Sequence, residues 1–157
     1  MAWSNSKIFP AHLADIVAGT TAMDLDTDTL KGALFDNTIT PNNDVAASAT
    51  AYNAGVWLTS AEVDDTTNWD AGGEPLTTVS YARSTTSVVL DADNLTQGGA
   101  TCTLPDAYGV HVYDDTIATP VADQGICYNY FGGVQSVTAG TFTINWNASG
   151  IYSLDLS

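Results

Sequence analysis

Apolar and polar residues alternate most regularly near the C-terminal end of the chain. In Thr141–Trp146, Phe142, Ile144 and Trp146 fall on one side and Thr141, Thr143 and Asn145 on the other. A period of two marks a half-buried strand. Asn147-Ala148-Ser149-Gly150 has turn composition, and Ile151–Leu156 returns with Ile151, Leu154 and Leu156 apolar. The pattern predicts an antiparallel hairpin with Trp146 in the core. Leu30–Phe35, Val56–Leu58, Glu62-Val63, Leu76–Ala82, Thr86–Leu90, Thr101–Leu104, Gly109–Tyr113 and Gly125–Phe131 read as further strands. Turn residues recur between them at the spacing of a sandwich or barrel.

One helix is predicted, over Ile8–Val17, with Ser6 as cap and Gly19 as terminator; Phe9, Leu13, Ile16 and Val17 lie on one face. Pro10 fits only its first turn. The expected fold is all-β, an antiparallel β-sandwich or jelly-roll-like domain over 23–157, preceded by an arm and short helix over 1–22. The loop from Asp36 to Val56 is longer than ordinary connections, and such loops carry contacts or cover a surface.

Charge narrows the partners. Three basic residues (Lys7, Lys31 and Arg83) stand against 18 acidic ones, for a net charge of −15. Phosphate recognition needs Lys and Arg, so nucleic acid and anionic membrane surfaces are excluded as direct partners. No run approaches the ~18 apolar residues of a membrane span, and the weakly apolar start, broken by Pro10, His12 and Asp15, does not resemble a signal peptide. The Asn94-Leu-Thr and Asn147-Ala-Ser glycosylation patterns therefore carry no meaning in this reading. Cys102 and Cys127 fall inside strands and read as buried thiols, a disulfide remaining open if those strands are neighbours.

Chemistry is sparse. Asp24, Asp26 and Asp28 imitate the start of a calcium loop, but Thr29 and Phe35 stand where glycine and glutamate are required. The run reads as a solvated turn, and no metal or cofactor is expected. His12 and His111 have no ligand spacing, Asp114-Asp115 reads as a turn, and no G-x-S-x-G elbow occurs. No catalytic set is assigned and no enzymatic activity is expected. Trp57 and Trp69 flank loops and, with Tyr52, read as contact residues for a protein or a sugar.

The segments LKGALFDNTITPN, an EV pair, W-x-AGG-x-x-L, VVLDADNLT, YGVHVYDDT-x-x-x-PV and SVTAGTFTINWNASGIYSLDL resemble, in this order, a group of small tailed-bacteriophage virion proteins. The likeness covers residues 25 to 157. It departs at Gly32, where valine is usual, and at Pro75, and the leader MAWSNSKIFPAHLADIVAG is similar to one subgroup. The resemblance implies a capsid decoration (cement) protein on the outside of the virion shell, made in the host bacterial cytoplasm. It would bind the major capsid protein and copies of itself, with a trimer as the expected oligomer. Trp3, Ile8, Phe9 and Leu13 of the arm and helix are the expected docking residues, with Tyr52, Trp57 and Trp69 second. A tail or head–tail connector protein is the nearest alternative; a carbohydrate-binding module on a host-recognition structure is the next.

Overall fold

The computed structural model describes residues 3–156. Its elements are β1 (Lys7–Ile8), α1 (Pro10–Ala18), β2 (Leu30–Phe35), α2 (Ala47–Thr50), β3 (Glu74–Pro75), β4 (Ser80–Ser84), β5 (Ser87–Asp91), β6 (Leu95–Asp114), β7 (Gly125–Ile144) and β8 (Tyr152–Asp155). They build two antiparallel sheets, one ordered β1-β7-β6-β2-β3 and the other β4-β5-β8. The fold is all-β and sandwich-like, as the alternation and turn spacing predict. No helix among the described residues is long and apolar enough to cross a membrane.

The large sheet is covered on both faces, and the register shows how. Leu30, Leu34, Val110, Val112 and Cys127 pack with Leu90, Ile151 and Tyr152 of the small-sheet side in one buried cluster. The alternate residues Ala33, Phe35, Tyr113 and Tyr128 belong to a second cluster on the opposite face. There Trp3, Phe9, Ile39, Trp57 and Ala61 lie over them, supplied by the leader and by the long loop after β2. A strand buried on both sides loses its polar alternation, which is why LKGALF and GICY are nearly continuous apolar runs. The loop's covering role is the one its length predicts.

Local chemistry explains several sequence signals. Gly72 and Gly73 of the AGG turn hold φ of 92° and 78°, and a Cβ on Gly73 would lie 2.4 Å from the Gly32 carbonyl oxygen. Only glycine permits that approach. Gly32 itself faces Val110 and Leu95, whose methyl groups lie 3.1 and 3.4 Å from where a Cβ would be, so they fill the space a valine would take. Asp65 closes the preceding turn by accepting hydrogen bonds from the backbone N–H groups of Thr67, Asn68 and Trp69 and, across the sheet, of Thr103. These donors hold its carboxyl well below the usual carboxylate range.

Three sequence expectations are corrected. The closing hairpin does not form: β7 pairs with β6, whereas β8 pairs with β5 in the other sheet. Asn147–Gly150 is a tight turn, with the Gly150 N–H donating to the Asn147 carbonyl at 2.8 Å. The next amide, Ile151 N–H, donates to Leu90, so the chain crosses from one sheet to the other. Second, Thr101–Leu104 and Gly109–Tyr113 are parts of one strand, β6, which absorbs Pro105 through shifts of register against β7. Third, α1 starts at Pro10, Phe9 occupies the cap position without a side-chain cap, and Ser6 accepts instead from the Tyr130 amide. Gly19 ends the helix in the left-handed conformation, as predicted, but Val17 points to solvent at 87% exposure and His12 is the residue buried.

Gly109 gives a direct test of how the leader is seated. A Cβ there would approach the Trp3 ring to 2.4 Å and the Asn129 carbonyl oxygen to 2.6 Å. Gly109→Ala is expected to destabilise the fold by about 1–3 kcal/mol, the usual cost of overpacking, and to expose the leader. Urea unfolding and limited proteolysis of the first nine residues measure the two effects; unchanged protection of Trp3 would refute this seating.

Candidate functional site

The residues expected to contact a partner mostly lie inside. Trp3, Phe9, Trp57 and Trp69 are all 0% exposed. Trp57 is the hub of an aromatic cluster, stacked on His111 with centroids 4.3 Å apart and edge-on to Trp3, Phe9 and Phe35. The Trp3 indole N–H donates to the Asp36 carbonyl at 2.7 Å, tying the leader to the loop it covers. Trp69 lies in the other cluster, edge-on to Phe142 at 5.5 Å. These four side chains are therefore core residues, not surface contacts. Each such aromatic takes roughly 150–250 Å² out of water when it is buried, so its packing contributes strongly to the core. Ile8, Leu13 and Tyr52 are half-buried, and Ile8 packs against the inter-sheet core.

Tyr52 belongs to a polar network rather than to a free surface. Its hydroxyl donates to Glu62 at 2.6 Å, its ring stacks on Tyr113 at 5.0 Å, and the Gly72 N–H donates to the second Glu62 oxygen at 2.7 Å. The Tyr113 hydroxyl donates to the Gly72 carbonyl at 2.5 Å. Burial raises the Glu62 carboxyl above its ordinary value, opposed by the two bonds it accepts. Both of its oxygens are engaged, so it holds the AGG turn against β6.

The aspartates are likewise occupied by backbone. Asp28 accepts from the Asp24 amide, Asp24 from the Asp26 amide, and Asp26 from the Tyr81 amide. Among the described residues no group of three or more His, Cys, Asp or Glu converges as metal ligands. Asp114 is buried and accepts from the Thr116 and Ile117 amides; desolvation, with Asp28 close by, raises its carboxyl to about 6. Cys102 and Cys127 are buried and free.

A cleft of about 580 Å³ runs beside β7. Tyr130, Phe131, Phe142 and Trp146 supply its apolar part, and Asn129, Gln135, Asn145 and Asn147 its amides. No carboxylate, histidine, thiol, lysine or arginine lines it. Its chemistry suits neutral, amphipathic contact, and it offers no acid–base pair. Trp146, predicted as core, is only partly buried, and its indole N–H donates to the Asp93 carbonyl at 3.1 Å. None of the contact residues chosen from sequence lines this cleft; Ile8 borders an adjoining hollow of about 320 Å³. The signal that marks it is the absence of any charge from Gly125 to Ile144.

The two histidines make the fold sensitive to acid. Burial lowers His12 to about 4, partly offset by Asp15, and leaves it a 3.2 Å hydrogen bond shared with the Tyr152 hydroxyl. Burial lowers His111 to about 3; the Thr50 carbonyl faces it and opposes that shift, without a well-aligned hydrogen bond to either ring nitrogen. The unfolded chain takes up these protons near pH 6.5 and the folded chain does not, so stability is whole above about 6.5 and falls as the solution is acidified toward 4. Asp114 acts oppositely, since its raised carboxyl stabilises the folded state at low pH and that contribution is lost as pH rises through about 6. With two buried histidines set against the raised carboxyls of Asp114, Glu62 and Asp123, urea unfolding is expected to show stability lower at pH 5 than at pH 7.5 by about 1–2 kcal/mol. His111→Gln is expected to flatten that slope; a slope unchanged by the substitution would assign the acid sensitivity elsewhere. The chain matches no protein-family model, and neither the curated proteins nor the solved structures searched contain a match to it.

Proposed function

We propose that this chain is a structural protein of a tailed-bacteriophage virion, a decoration protein that binds the outside of the capsid shell and stabilises it through the major capsid protein and copies of itself. The carrying observation is the ordered set of strand and turn motifs from LKGALF to GTFTINWN, which resembles that group along most of the chain. The geometry supports the reading in two ways. The large sheet is sealed on one face by the small sheet and on the other by the chain's own leader and loop, giving a compact body. The cleft beside β7 holds no acid, base or thiol that a catalyst would use. A charge of −15 keeps such a protein off the packaged genome. With Trp3 and Phe9 committed to the core, the capsid-facing residues of the leader are Leu13 and Val17, one turn apart on α1, Val17 at 87% exposure.

A second reading, carbohydrate binding, is favoured by one observation: Trp146 and Tyr130 share the cleft with four side-chain amides, a composition that suits a neutral sugar. Trp57 and Trp69, the aromatics first considered for that role, are buried and excluded from it.

Purified protein mixed with expanded empty shells is expected to co-sediment with them at on the order of hundreds of copies per particle, as a lattice site requires. Val17→Asp is expected to lower that occupancy about tenfold with no change in folding, since it places charge on an exposed apolar contact. A small ring number of copies would move the protein to the tail or connector. Binding to glycans but not to shells, lost in Trp146→Ala, would replace this reading with the second.

A further inference from the structure

The terminal strands of the two sheets are short, and each carries a residue that discourages pairing with another chain. β1 has Lys7, β3 is Glu74-Pro75, β4 has Arg83 and β8 has Asp155. Charges and proline on edge strands are the usual protection against edge-to-edge association. β7 is different. β1 pairs with it only at Cys127 and Tyr128, and beyond that point no strand pairs with its outer edge among the described residues. From Asn129 to Ile144 the sequence NYFGGVQSVTAGTFTI contains no charged residue and no proline.

A bulge at Phe131–Val134, where Gly132 has φ of 82° and Val134 is 48% exposed, separates the part next to β1 from Gln135–Ile144, which a second irregularity at Thr138-Ala139 (Ala139 φ 49°) divides into two short pairing segments. The uncharged cleft opens beside this run. We infer that the outer edge of β7 from Gln135 to Ile144 is a self-association surface, on which a second copy of this chain pairs by strand addition. The occupant follows from charge. Two bodies of −15 repel wherever acidic surfaces meet, and this edge is a long stretch of backbone where they can approach without placing carboxylates together, whereas the outer edge of β6 before Gly109 carries Asp106 and lies against Asp65 and Glu74. Unsatisfied edge N–H and C=O groups supply the attraction, and side-chain contacts at the cleft add to it. A basic peptide would be drawn to the acidic loops rather than to this neutral edge. The inference deepens the proposed function, which expects copies of the chain to associate, but it concerns the free protein.

Sedimentation and light scattering over a range of concentration are expected to give a mass that is a multiple of 16.4 kDa. Association should tighten as salt is raised, because screening weakens the repulsion. The double variant Ser136→Glu/Thr138→Glu, with both positions exposed, is expected to weaken association about tenfold or more by setting like charges against each other across the paired edges. Thr27→Glu, which adds charge on an exposed turn outside this edge, is expected to leave association much closer to the parent. A protein that stays monomeric at every concentration and salt overturns the inference. So does an oligomer that the edge variant does not weaken, or one that salt dissociates. If the edge variant fails to fold, amide exchange on the unaltered chain decides. Gln135–Ile144 should gain protection as concentration rises, and equal protection at low and high concentration overturns the proposal. Shell binding is measured separately: a protein that self-associates through β7 yet ignores shells keeps this inference and loses the decoration reading.

Discussion

Burial of the β2–β6–β7 layer on both faces is the constraint on which the rest of the molecule depends. The stack of Trp57 on His111 shows it in one contact: a loop residue and a strand residue meet with ring planes 11° apart, both fully buried. An antiparallel sheet ordinarily leaves one face to water. Here that second face is apolar, so something must cover it, and the leader and the long loop after β2 are the segments that do. Trp3, Phe9 and Trp57 are therefore as much a part of the core as Leu34 or Val112.

Two consequences follow for charge and protonation. With the interior occupied by aromatics, both imidazoles are held neutral, and the carboxylates that lie partly inside are held by backbone amides or a tyrosine hydroxyl: Glu62 by Gly72 and Tyr52, Asp114 by Thr116 and Ile117. Most of the remaining acids lie on loops and turns and give the surface its sign. The lone ion pair among the described residues, Lys31 with Asp115 at 3.0 Å, is partly exposed and contributes little to stability. Cohesion comes from apolar packing and turn geometry rather than from charge pairing.

The same economy of charge shapes what the molecule can touch. Acidic loops repel nucleic acid and one another, leaving the neutral β7 edge with its aromatic cleft and the exposed end of α1 as the surfaces where close contact costs least. These two surfaces are distinct in composition, one made of backbone edge and amides, the other of Leu13 and Val17 side chains. A structural role in a larger assembly needs two such surfaces, one toward copies of itself and one toward a scaffold.

Period-two alternation and turn residues are local properties, and they determined the all-β class, the Gly19 helix stop and the AGG turn from the sequence alone. Partnership between strands is not local. Phe142 and Ile144 reveal which way a strand faces, but not that β7 pairs with β6 while the chain beyond Gly150 joins β5. Whether an aromatic is core or contact is equally undecidable from its neighbours in the chain. Trp3 reads as a contact residue because it stands in a polar leader and Trp57 because it flanks a loop, and they are buried because a second apolar sheet face, assembled from β2, β6 and β7, is waiting for them. Only the tertiary fold brings that face together, since its residues come from strands far apart in sequence and hydrophobic burial depends on what is adjacent in space.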